Sequence, residues 1–395
     1  MPLNEDYVAA LPVGKLGVIA LESCKQMGQR IDQYLVDWRN KRVHEVHTPT
    51  VLLDGYRRDS YLVDTKCARF GSGEAKGIIR QTVRGDDLYI LVDVTNYSLT
   101  YSVCGHVSHM SPDDHFQDLK RVIAAAGGKA HRITVIMPFL YESRQDKRSS
   151  RESLDCAVAL QELCNMGVES IITFDAHNPS VQNAIPLKTF ESVPPTYQFI
   201  KALLRSAPDI SMDPANLMVI SPDEGAMGRA VYLANSLGVD VGMFYKRRDY
   251  TTIVDGRNPI VAHEFLGANV EGKDVIIVDD MISSGDSMLD VAKQLKDRKA
   301  NRIFCASTFG LFTNGLDKFD EAYEQGIITG VLTTNLIYQT PELLERPWYI
   351  NCDFSKYVAY IIDTLNHDGS ISSILNPSQR IQRLVEKYNN GETIE

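Results

Sequence analysis

Asp279 and Asp280 stand at the end of an unbroken apolar run, VIIV, and are closely followed by Ser283, Ser284, Gly285 and Ser287. Adjacent carboxylates can accept hydrogen bonds from vicinal hydroxyls or help hold a divalent cation. Small hydroxylated residues and a glycine at the start of a helix present main-chain N–H groups to an anion. One strand end can thus grip both the hydroxyls and the phosphate of a sugar phosphate. The structural alternative is a helix cap, with the serines capping and the acids facing water. The acid pair at the tip of a fully apolar strand favours binding.

Cations gather elsewhere. Lys246 and Arg248 end the run VGMFYKRR, and at i and i+2 they project from one strand face, which suits phosphate. A lysine snorkelling from a strand end is the structural alternative. His177 closes SIITFDAH beside Asp175, a place for a metal ligand or for a capping histidine. Arg144, Gln145, Asp146, Lys147 and Arg148 form a polar run that composition alone reads as a solvated loop.

The elements that must position these residues follow from periodicity. Short apolar runs at 88–94, 132–139, 170–177, 216–223, 241–247, 273–280, 302–310 and 328–335 alternate with helical patterns at 150–167, 225–238 and 287–300. That alternation predicts an α/β fold whose mainly parallel sheets are flanked by helices. Ligand sites in such folds gather at the carboxyl ends of strands, where several of these runs end in acids, His, Lys or Arg. The paired prolines of FESVPPTYQF (190–199) mark the best boundary. The expected division is 1–193, 194–345 and a helical segment, 346–395, packing back on the body.

In this order along the chain, six segments resemble the ribose-phosphate diphosphokinase family of the type I phosphoribosyltransferase superfamily. They are RFGSGEAKG with VRGDDLYIL, MPFLYESRQDKRSSR, FDAHNPSVQ, VISPDEGAMGRA, FYKRRDY and VDDMISSGDS. The resemblance implies two phosphoribosyltransferase-like domains and transfer of the β,γ-diphosphoryl group of ATP to the C1 hydroxyl of ribose 5-phosphate. It implies Phe70, Glu74, Arg144, Gln145, Asp146 and Lys147 at ATP, and Lys246 and Arg248 as catalytic cations. Asp279, Asp280, Ser283, Ser284, Gly285 and Ser287 would hold ribose 5-phosphate, and His177 and Asp223 would lie at Mg2+. It also implies dimer-based homo-oligomers, with hexamers among them. Arg144 and Lys147 could fold over a triphosphate, where fixed cations oppose charge that builds up during transfer. The rivals are a phosphoribosyltransferase, which leaves RQDKR and DAH without a role, and a catalytically silent regulatory homologue, which leaves Lys246, Arg248 and His177 without one.

Bulk composition narrows the partners. With 41 Lys and Arg against 51 Asp and Glu, the net charge of −10 argues against a nucleic-acid or anionic-membrane surface. No run approaches the roughly 18 apolar residues of a membrane span, and MPLNEDYVAALPVGKLG lacks the layout of a signal peptide. Seven scattered cysteines without a C-x-x-C pair read as reduced thiols, so a cytoplasmic location is expected. Three motifs are set aside. GSGEAKG misses the dinucleotide spacing, and no Walker A pattern occurs. CGHVSHMSPDDH, although rich in His and Asp, ends in the Ser-Pro-Asp-Asp expected of a helix start.

Overall fold

A computed structural model describes residues 11–45, 53–248 and 260–394, leaving out the side chains of 43–45, 246–248 and 260–263. The chain divides into two compact units. The first comprises Met1–Pro194, Asn335–Tyr338 and Asp353–Asn376; the second comprises Pro195–Thr334, Gln339–Cys352 and Pro377–Glu395. The segment 346–395, read from sequence as one packing element, is therefore shared. Its short strand Tyr349–Cys352 completes a sheet of the second unit, while the helix Ser355–Asn366 buries Tyr357, Val358, Ile361 and Ile362 in the first.

In the first unit β1 (Lys15–Ala20) is followed by a hairpin, β2 (Thr65–Arg69) and β3 (Ala75–Ile79), and then by β4 (Asp86–Leu91). A second hairpin, β5 (Thr100–Val103) and β6 (His106–His109), precedes β7 (Arg132–Ile136), β8 (Ser170–Phe174) and β9 (Thr189–Val193). The sheet runs β1-β4-β7-β8-β9, all parallel. Every residue of β4 is buried, as a central parallel strand covered on both faces requires.

A buried polar chain ties the helix Lys25–Glu45 to Ser355–Asn366. Arg39 and Arg42, almost fully buried, both donate to Asp363. Arg39 also donates to Asn366 at 2.7 Å, Asn366 to Asp87 at 2.9 Å, and Arg132 to Asp87 at 2.7 and 2.8 Å. Each buried charge thus has an opposite charge and further hydrogen bonds, the condition under which burial is tolerated.

The second unit holds β10 (Leu217–Ser221), β11 (Asp240–Arg248), β12 (Ile260–Leu266), β13 (Asp274–Ile282), β14 (Ile303–Gly310), β15 (Gly330–Thr334) and β16 (Tyr349–Cys352). Their order is β12-β11-β10-β13-β14-β15-β16, parallel except for β12. β13 is central, and its Val275 and Ile277 join Phe319 and Trp348 in one apolar core. The α/β architecture expected from the alternation of runs is the one found.

Candidate active site

In the second unit the parallel register brings the carboxyl ends of β10 and β13 to one edge of the sheet. Asp279 and Asp280 follow the fully buried run Asp274–Val278 of β13, and the Asp280 N–H donates to Asp279 Oδ1 at 2.8 Å. Asp280 is buried, with the Arg229 guanidinium 3.6 Å from its carboxylate. Burial, then the negative charges of Asp280 and Asp223, push the Asp279 carboxyl well above the usual carboxylate range.

Asp223 follows β10, and its Oδ1 accepts from the N–H groups of Gly225 at 2.9 Å and Ala226 at 3.3 Å. That turn leads into the helix Met227–Leu237, which carries Arg229. Beyond β13, Gly285 adopts φ +84°, the left-handed region that glycine enters without penalty, and starts the helix Asp286–Asp297. Gly285, at the N-cap, has no side chain to cap that helix, so its first turn and positive dipole end suit an anion. The Ser284 hydroxyl accepts from the Asp286 N–H at 3.4 Å, and the exposed Asp286 carboxylate pairs with Lys318 at 2.5 Å. One strand end thus offers an acid pair for hydroxyls and a helix start for a phosphate.

Lys246 and Arg248 belong to the end of β11, beside β10, but their side chains lie outside the described residues.

In the first unit, β7 leads into the loop that carries residues 144–148, and β8 leads into the segment of His177. Asp175 takes φ +43°, and its N–H donates to Val193 O at 3.0 Å, while the Ala176 N–H donates to Ser192 Oγ at 2.9 Å. This turn leaves His177 exposed. Gln145 does not face solvent freely: its Nε2 donates to Ser153 O at 2.8 Å, closing the base of the loop. Asn178 Nδ2 donates to Asp146 at 2.6 Å. Arg144, Lys147 and Arg148 are exposed and form no ion pair with the described residues. Nearby, Tyr141 stacks on Phe116 at 4.3 Å and donates to Asp113 at 2.6 Å.

Phe70 and Glu74 sit at the turn of the β2–β3 hairpin, where the Phe70 N–H donates to Glu74 O at 2.7 Å. The Phe70 ring is 51% exposed and Lys76 Nζ lies 5.9 Å from its centroid, so an aromatic face is presented to solvent. Arg69 fixes the hairpin to the helix Pro112–Ala126 through Asp118 at 2.9 Å. Among the described residues no hydrogen bond joins Phe70 or Glu74 to residues 144–147.

The expected metal residues, His177 and Asp223, belong to different units, and among the described residues no three or more His, Cys, Asp or Glu are arranged so that they could hold a metal ion by themselves. A cation that keeps several waters and takes one or two carboxylates together with substrate phosphates, as magnesium does, needs no such arrangement. The negative charges of Asp280 and Asp223 beside Asp279 are an excess that a cation at this strand end would offset. The Ser111–His115 segment behaves as a helix start: Ser111 and Asp114 form a reciprocal capping box, and His115 is buried on Asn96 O at 2.8 Å. Sequence reading missed Asn178, Arg229 and Lys318. Asn178 had one local signal, its place directly after His177.

A parallel sheet, an acid pair at a strand tip and a small-residue loop starting a helix define a phosphoribosyltransferase-type domain. The family model described as the phosphoribosyl transferase domain matches residues 192–342, and that of the N-terminal domain of ribose phosphate pyrophosphokinase matches residues 16–167. The chain belongs to the ribose-phosphate pyrophosphokinase family, a family of transferases, and its activity is that of the family. The ribose-phosphate pyrophosphokinase of Vibrio parahaemolyticus is 29% identical over 322 residues, covering 80% of this chain and 92% of that protein. That of Ralstonia nicotianae is 30% identical over 270 residues, covering 67% and 76%. The crystal structure of phosphoribosylpyrophosphate synthetase from Mycobacterium smegmatis superposes with a TM-score of 0.70 at 20% identity, over 90% of this chain and all of that one, which shows the fold. No helix among the described residues is long and apolar enough to cross a membrane.

Proposed function

We propose that the chain transfers the β,γ-diphosphoryl group of ATP to the C1 hydroxyl of ribose 5-phosphate, giving phosphoribosyl diphosphate and AMP. The observation that carries this reading is the β13 end, where Asp279 and Asp280 stand close to the helix that starts after Gly285. Asp279 and Asp280 accept from the ribose hydroxyls and orient C1. The Ser283–Ser287 turn donates main-chain N–H groups to the 5-phosphate.

On the nucleotide side, Arg144 and Lys147 neutralise the triphosphate, and Phe70 and Glu74 meet the adenosine. Gln145 and Asp146 shape the loop that carries these cations. Lys246 and Arg248 stabilise charge that builds up as the bond to the β-phosphorus changes hands, a task of positioning more than of covalent chemistry. Magnesium, with His177 and Asp223 near it, would supply charge neutralisation on phosphate oxygens.

A phosphoribosyltransferase would leave the match at 16–167 and the 144–148 cations without a task. The same reading takes the protein as a cytoplasmic, dimer-based homo-oligomer. Release of AMP from ATP, dependent on ribose 5-phosphate, is the test; release of ADP overturns it.

A further inference from the structure

The 144–148 loop and the His177 segment leave neighbouring parallel strands, β7 and β8, and a side-chain hydrogen bond joins them. Asn178 Nδ2 donates to Asp146 Oδ2 at 2.6 Å, across 32 residues of sequence. Both side chains are half-buried, so water competes with this bond only in part. The amide is used at both ends: its Oδ1 accepts from the Ser180 N–H at 3.0 Å and caps the short helical turn Pro179–Ala184. Asn178 is presented from a segment that is itself pinned to β9, through Asp175 to Val193 and Ala176 to Ser192. Asp146, in turn, follows Gln145, whose side chain closes the loop base on Ser153. The loop is therefore held at two successive residues, one bond internal and one reaching to the residue after His177. The exposed Arg144, Lys147 and Arg148 stand on either side of these two anchors.

We propose that Asn178 is a positioning residue that latches the 144–148 loop to the His177 segment, so that the loop cations and His177 meet ATP in one fixed arrangement. The inference rests on the assignment of both segments to ATP above. A carboxylate offers acceptors only, so the latch requires a donor at position 178, and an amide supplies one while still capping the next turn. A hydrogen bond to a charged group is among the stronger ones, and small displacements of groups around a reacting phosphate are costly to rate.

Two substitutions separate the latch from the cap. Asn178→Ser keeps a hydroxyl that can cap Ser180 and is too short to reach Asp146. Asn178→Asp keeps length and cap, and sets carboxylate against carboxylate. In ligand-free protein, trypsin cleavage at Arg144, Lys147, Arg148 and Arg151, followed by mass spectrometry, reads loop order without any assay of activity. For both variants the latch predicts faster cleavage than in the wild type. It also predicts a loss of about tenfold or more in kcat/KM for MgATP, with the KM for ribose 5-phosphate and the Tm little changed. Wild-type cleavage in Asn178→Ser overturns the latch. Faster cleavage with unchanged kcat/KM for MgATP overturns the positioning role. Wild-type protein that makes no phosphoribosyl diphosphate sinks the ATP assignment itself, and the cleavage comparison still decides the latch.

Discussion

Gly285 and the ring of Phe319 are packed so closely that a Cβ added at 285 would stand 2.4 Å from two ring carbons. The ring cannot yield cheaply, because Phe319 is fully buried against Phe312 and Trp348, with centroids 5.2 and 5.6 Å away. Gly285 also holds φ +84°, which costs an L residue roughly 1–2 kcal/mol. Gly285→Ala must therefore move the loop that starts the helix Asp286–Asp297. The expected result is a rise of about tenfold or more in the dissociation constant for ribose 5-phosphate, read by calorimetry, with ATP affinity nearly unchanged. Unaltered ribose 5-phosphate binding would mean that this turn does not hold the phosphate.

Lys246 tests the catalytic cations. It belongs to the end of β11, on the carboxyl side of the strand next to β10. A cation placed where charge develops matters more in the transition state than in the ground state. Lys246→Ala should lower kcat by a factor of roughly 10² to 10³, as loss of one such group typically does. The KM for ribose 5-phosphate should change little. A kcat near wild type with a raised KM would reduce Lys246 to substrate holding.

Asp363 governs acid stability in the first unit. Burial opposes its ionisation, but Arg42 and Arg39 outweigh burial and bring the carboxyl down to about 2. A depressed pKa contributes stability that is complete above the unfolded value near 4 and is lost as pH falls toward 2. Asp363→Asn leaves Arg39 and Arg42 buried without their carboxylate, which typically costs about 3–5 kcal/mol. Urea unfolding of the two proteins across pH should show a large gap at neutral pH that narrows between pH 4 and pH 2. A gap independent of pH would assign the loss to packing alone.

What could be read ahead of the structure was whatever has a local signature. The eight apolar runs correspond to β4, β7, β8, β10, β11, β13, β14 and β15; strands buried on both faces are apolar without interruption, and β11, with Val241 and Met243 half-buried, is covered only in part. β16, with the sequence YINC, is too short and too polar to register in that way, and β9, TFESV, alternates at a half-buried edge. The β13 loop was legible because acids, hydroxyls and a glycine stand side by side in the chain. The Asn178–Asp146 and Arg39–Asp363 pairs were not, since their partners lie 32 and 324 residues apart and side-chain pairing over such distances leaves no periodicity.

The central claim, diphosphoryl transfer to C1, is tested most directly by 31P nuclear magnetic resonance of one reaction. Protein, MgATP and ribose 5-phosphate are mixed, and the phosphorus signals are followed to completion. The account predicts a pair of coupled doublets from a sugar-bound diphosphate, growing in step with the AMP singlet and only when ribose 5-phosphate is present. Signals of ADP and a sugar bisphosphate, or ATP left intact, would contradict it.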